Sequence, residues 1–141
     1  MIAVACSLSN SYLIFFDHLI KSILKHNPKF DKDFLIFCRD VPADNKYSLS
    51  SDSREHIKSL YGNVKFIGID VEKYDKYQKK DVIYYSIETF AQRDYNQVIF
   101  WGADMLCMKP LDEMFEYAGR INGVAMPPSY DCLLNPRNGV F

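Results

Sequence analysis

Residues 98–104, Val-Ile-Phe-Trp-Gly-Ala-Asp, constrain this chain more than any other stretch. Four consecutive apolar residues, 98–101, read as a strand buried on both faces, the pattern of a parallel sheet covered by helices. The run stops at Gly102-Ala103, and a carboxylate, Asp104, follows at the strand's carboxyl end. Open α/β sheets bind ligands in the crevice just outside the carboxyl ends of their strands. A second apolar stretch, residues 105–108, comes next and is also expected to be buried. Lys109-Pro110 then opens a short helix with Asp112 and Glu113 in its first turn, where acidic groups complement the helix dipole.

The preceding hundred or so residues alternate between strand and helix patterns. Residues 2–7 predict a first strand, followed by the N-cap candidates Ser9, Asn10 and Ser11. Phe16, Leu19, Ile20, Ile23 and Leu24 recur at helical spacing, and Lys25-His26-Asn27-Pro28 ends that helix. Phe34–Cys38 predicts a second strand, residues 54–61 a helix closed by Gly62-Asn63, and residues 64–69 a third strand. The charged, tyrosine-bearing residues 70–81 read as an exposed loop or short helix. Residues 82–93 read as an amphipathic helix presenting Val82, Tyr85, Thr89 and Phe90. This alternation calls for one α/β domain over residues 1–141, Rossmann-like, with a mostly parallel sheet and helices on both faces.

Composition removes several function classes. Seventeen basic and 18 acidic residues are well mixed, with a net charge of −1, so no basic face predicts nucleic-acid binding. No Gly-x-Gly-x-x-Gly follows the first strand, and there is no Walker A loop or Gly-x-Ser-x-Gly elbow. Cys6, Cys38 and Cys107 sit in apolar runs and, like Cys132, form no Cys-x-x-Cys pair; the first three read as reduced core residues. The first strand begins without a basic leader region, and Asp17, His18 and Lys21 interrupt the apolar residues 12–24. The expectation is a cytoplasmic protein with no signal peptide and no transmembrane segment.

Three stretches carry a resemblance. They are Tyr12 through Leu19-Ile20-Lys21 to His26, Tyr95 through Trp101-Gly102-Ala103-Asp104 to Phe115, and the terminal Asn138-Gly139-Val140-Phe141. In this order they resemble glycosyltransferase family 8, the family of glycogenin and of bacterial lipopolysaccharide glucosyl- and galactosyltransferases. The resemblance implies a nucleotide-sugar-binding fold of the GT-A type. It also implies retaining transfer of a hexose from a UDP-sugar, with Mn²⁺ or Mg²⁺. It assigns Tyr12 to stack on the uracil, and Cys6, Leu8 and Ser9 to line the base pocket largely through backbone. Gly102 and Ala103 would approach the ribose, and Asp104 would touch the metal. Asp-x-Asp suits this chemistry because a hard divalent cation with oxygen ligands neutralises a departing diphosphate.

The chain departs from that pattern in four places. Gly102 stands where the first Asp of Asp-x-Asp belongs, Ser86 stands near the family's donor-site lysine, and Arg137 opens the Asn-x-Gly-Val-Phe motif. Family members continue past this motif through elements that shape the acceptor site and supply a metal-binding histidine; His18, His26 and His56 lie too early to replace it. The chain is therefore expected to lack C-terminal acceptor elements and to self-associate through residues 120–141. The acceptor, whether glycan, lipid-linked or protein, and the catalytic residue stay open. The pattern fits a transferase, a non-catalytic nucleotide-sugar-binding domain, or a partner subunit. Asp131 and Arg137 read as solvated loop residues, and Tyr74, Tyr77, Tyr84 and Tyr85 as packing.

Overall fold

The computed structural model describes residues 1–39, 47–75 and 82–120. Along the chain lie β1 (Ile2–Ser7), a 3₁₀ turn (Asn10–Tyr12), α1 (Leu13–His26), β2 (Phe34–Cys38), α2 (Ser51–Leu60) and β3 (Val64–Gly68). Then come α3 (Val71–Asp75), a 3₁₀ helix (Val82–Ala91), β4 (Gln97–Phe100) and α4 (Asp112–Arg120). The four strands form one sheet in the order β3-β2-β1-β4. Every pairing is parallel, with Cys6 opposite Ile36, Phe37 opposite Ile67, and Ala5 opposite Phe100.

Both faces of the sheet are covered, which is why β1 and β2 read as unbroken apolar runs. Alternate residues Val4, Cys6, Phe34, Ile36 and Cys38 pack against Phe16, Leu19, Ile20 and Ile23 of α1, Ile57 of α2, and Met114 and Phe115 of α4. Ala3, Ala5, Leu35 and Phe37 face the other way, onto Tyr74 and Tyr85. Phe34 anchors the first layer, meeting Phe16 edge-on at 5.3 Å and Trp101 at 6.3 Å between ring centres. Each fully buried side chain of this size contributes roughly 1.5–3 kcal/mol. At the amino end of the sheet, Lys65 Nζ lies 2.7 Å from Asp33 Oδ2 and 2.8 Å from the Tyr95 hydroxyl, which donates to the same carboxylate at 2.7 Å. These hydrogen bonds hold the Asp33 carboxyl below the usual carboxylate range.

Four expectations need correction. Residues 97–100 are half-buried throughout, not buried on both faces, because β4 is the end strand of the described sheet and lacks a neighbour on one side. Residues 105–108 are not a buried segment: Met105, Leu106 and Met108 are 50%, 59% and 73% exposed, and only Cys107 turns inward. The predicted amphipathic helix is a 3₁₀ helix that buries Tyr85 while Ile87 and Phe90 stay exposed. Its β-branched and aromatic residues lose rotamer freedom in an α-helix, which weakens the helical signal. The α2 helix begins three residues earlier than expected, at Ser51, because Ser50 caps it by accepting from the Ser53 amide. Cys132, Asp131, Arg137, Tyr77 and the self-association segment beyond residue 120 lie outside the described residues, as does the side chain of Tyr84.

Candidate functional site

Strand order places the site. The chain leaves β1 toward β2 on one side, whereas β4 sits on its other side, so the strand order reverses between β1 and β4. Such a switch point opens a crevice at the strands' carboxyl ends. On the β4 side, the Trp101 amide still donates to Ala5 O at 2.8 Å, and pairing stops there. Half-buried Gly102 and buried Ala103 follow, and the Met105 amide donates to Gly102 O at 3.3 Å, closing a turn with Asp104 exposed at its tip. On the β1 side, the Leu8 amide donates to Phe37 O at 3.0 Å and the Tyr12 amide to Ser9 O at 3.0 Å. Tyr12 is 45% exposed, with its ring tilted against Phe15 at 5.6 Å.

The structure therefore brings Leu8, Ser9, Tyr12, Gly102, Ala103 and Asp104 to the same end of two adjacent strands. Cys6 and Leu8 have no exposed surface and belong to the core layer shared with α1; burial, with Cys38 nearby, pushes the Cys6 thiol far up. Ser9 is 2% exposed and shares a 3.1 Å hydrogen bond with Ser11. Of these residues Tyr12, Gly102 and Asp104 keep accessible surface.

Asp104, the expected metal contact, is an exposed carboxylate. Among the described residues no three His, Cys, Asp or Glu side chains cluster to hold an ion. His56 is instead engaged by Asp17 at 2.9 Å, between α1 and α2. A Cβ built on Gly102 would stand 2.7 Å from Asp104 Oδ1, so the carboxylate occupies the space into which a side chain at 102 would project. One carboxylate fits a cation held mainly by a bound diphosphate and water, the usual arrangement for Mg²⁺-like ions. It does not fit a cation held by protein groups alone.

Sequence reasoning missed what holds these two walls in place. After Asp104 the chain lies along α1: the Cys107 amide donates to Ser22 Oγ at 2.9 Å, and Asn27 Oδ1 accepts from the Leu111 amide at 2.8 Å. Asn27 Nδ2 also donates to Ile23 O at 3.1 Å. Arg39 was missed as well. It follows β2 directly, is 5% exposed, donates to the Tyr85 hydroxyl, and stands 5.8 and 5.7 Å from the rings of Tyr47 and Tyr85. A charged residue immediately after five apolar ones was the available signal. A groove of about 480 Å³ between residues 26–32 and the start of α4 lies by the C-terminal end of α1, away from this crevice.

Comparisons with known proteins bear on the family and the fold. The family model described as glycosyl transferase family 8 matches residues 3–129. Two solved structures of the galactosyltransferase LgtC, one with donor and acceptor sugar analogues and one of an active-site mutant, superpose with a TM-score of 0.64 at 15% identity. Each match covers 82% of this chain and 42% of the LgtC chain, so this chain spans less than half the length of those structures. No curated protein sequence matches it. The fold is an α/β, Rossmann-like one of the GT-A type, and with most of its length matched the chain belongs to glycosyl transferase family 8.

Proposed function

We propose that this chain binds a UDP-sugar at the β1/β4 crevice and acts in a glycosyltransferase that moves a hexose to an acceptor with retention. The observation that carries the reading is the pairing of an exposed Asp104 on one wall with a half-exposed Tyr12 on the other, at the switch point of a parallel sheet. Tyr12 offers a flat face to a base and a polar tip to water. Gly102, without a side chain, lets a ribose approach the backbone closely. Asp104 reaches solvent, where it would hold a cation that accompanies the diphosphate. A divalent ion bound there would supply neutralisation of the charge that develops on the departing diphosphate. No described side chain at the crevice other than Asp104 is an exposed carboxylate, so the reading places electrostatic stabilisation ahead of nucleophilic attack by the protein. The reading keeps a cytoplasmic location; no helix among the described residues is long and apolar enough to cross a membrane.

One observation favours a second reading, a domain that holds nucleotide-sugar without turning it over. Gly102 removes a carboxylate from the turn, and the described residues provide no second one. Release of UDP from UDP-glucose and UDP-galactose, with Mn²⁺ and without added acceptor, separates the two. Slow UDP release that Asp104→Asn abolishes supports the transferase. Tight UDP binding with no release above the buffer rate supports the second reading.

A further inference from the structure

We infer that Asn10 is a positioning residue for the nucleotide: it ties the turn carrying Tyr12 to the start of α2. This rests on the donor-site reading above. Tyr12 sits where the 3₁₀ turn Asn10–Tyr12 passes into α1, and no side-chain hydrogen bond caps that junction. Its placement therefore depends on what holds the turn. The Asn10 amide donates to Ser48 O at 2.8 Å. Its side-chain Oδ1 accepts twice, from the Ser50 amide at 3.0 Å and from the Ser53 hydroxyl at 2.9 Å. Ser50 is the N-cap of α2, and its own Oγ accepts from the Ser53 amide at 3.2 Å.

Three hydrogen bonds thus join the β1–α1 connection to the α2 N-terminus; of their partners Ser48 is fully buried, Ser53 is 8% exposed and Ser50 is half-buried. A sheltered donor left without its acceptor is unfavourable, so removing the carboxamide makes the turn shift to satisfy Ser50 and Ser53 by other means. The ring of Tyr12, two residues on, moves with it. The oxygen is what this role needs, and it lies at a helix start, where negative charge is favoured. A carboxylate at position 10 should therefore keep the tether. An Asn that contacted the nucleotide through its NH₂ group would not survive that exchange, because Asp cannot donate when ionised and would repel a diphosphate.

The test is calorimetric titration of UDP, with Mn²⁺, into the unaltered chain and into Asn10→Ala, Asn10→Asp, Tyr12→Ala and the Asn10→Ala/Tyr12→Ala double variant. Thermal unfolding of each is the folding control. Asn10→Ala should weaken UDP about tenfold, the scale of one or two hydrogen bonds. Asn10→Asp should bind within about threefold of the unaltered chain, as expected for a retained acceptor. In the Tyr12→Ala background the Asn10→Ala change should have almost no further effect, because coupled residues are not additive; a merely structural role would lower stability without this coupling. If Asn10→Ala does not fold, Ser53→Ala, which removes one donor to the same oxygen, should weaken UDP in the same direction. Unchanged affinity in Asn10→Ala, loss in Asn10→Asp as large as in Asn10→Ala, or additive effects with Tyr12→Ala each overturn the tether alone. Absence of UDP binding by the unaltered chain overturns the donor-site reading and the tether with it.

Discussion

Restoring a carboxylate at position 102 tests the metal chemistry of the turn. In Gly102→Asp, the new Cβ would start 2.7 Å from Asp104 Oδ1. That contact is with the free end of a flexible side chain, so Asp104 relieves it by rotating about its own bonds. Two carboxylates then share one turn. Charges about 4 Å apart repel by roughly 1 kcal/mol in water and roughly 4 kcal/mol at an effective dielectric of 20. Asp104 is exposed, which puts the penalty near the lower figure. Without metal the variant should lose about 1 kcal/mol of stability. With UDP and Mn²⁺ present the repulsion becomes convergence on one cation, and Mn²⁺ affinity should rise about tenfold, or about 1.4 kcal/mol. Titration of free Mn²⁺ by electron paramagnetic resonance, at saturating UDP, reads this directly. Unchanged or weaker Mn²⁺ binding in Gly102→Asp would show that position 102 does not face the cation and would refute the argument.

Three further outcomes follow from the geometry. Asn27→Ala strands the Leu111 amide, whose acceptor lies at 2.8 Å, and should cost about 1–3 kcal/mol, read as a lower thermal midpoint; an unchanged midpoint contradicts the role given to Asn27. Asp33, whose carboxyl is held low by Lys65 and Tyr95, contributes stability that is present above the ordinary carboxylate pKa and lost as pH falls through its lower folded value. Denaturant unfolding from pH 6 downward to about pH 3 should therefore show a shallower acid decline in Asp33→Asn than in the unaltered chain, and parallel curves refute this. Cys6, fully buried with its thiol pushed up, should resist alkylation in the folded chain and react only on unfolding, as peptide mass spectrometry of the modified site would show; rapid native labelling contradicts the buried placement.

Where the sequence pattern was dense, it predicted the fold well. The runs at residues 2–7 and 34–38 announced strands because covering both faces leaves few polar positions, the run at 98–100 announced one although it proved half-buried, and Phe16, Leu19, Ile20 and Ile23 announced α1 by their spacing. The apolar run at 105–108 misled because hydrophobicity does not report which way a chain turns: the segment runs over α1 and only Cys107 faces in. Tyr12 and Asp104 were legible as residues that follow the carboxyl ends of β1 and β4. What orients them was not. The hydrogen bonds by which Asn10, Ser22 and Asn27 tie these elements together reach residues 38 to 85 positions away, and short polar side chains look the same in sequence whether they cap, tether or face solvent.

The most direct measurement of the central claim is calorimetric titration of UDP into the unaltered chain and into Asp104→Asn, each with Mn²⁺ and again with excess chelator. The account predicts that Mn²⁺ strengthens UDP binding to the unaltered chain, that chelator removes this gain, and that Asp104→Asn loses most of it while retaining the metal-independent part. Equal UDP affinity with Mn²⁺ and with chelator would contradict the role of Asp104, and no UDP binding under any condition would contradict the crevice as a nucleotide site.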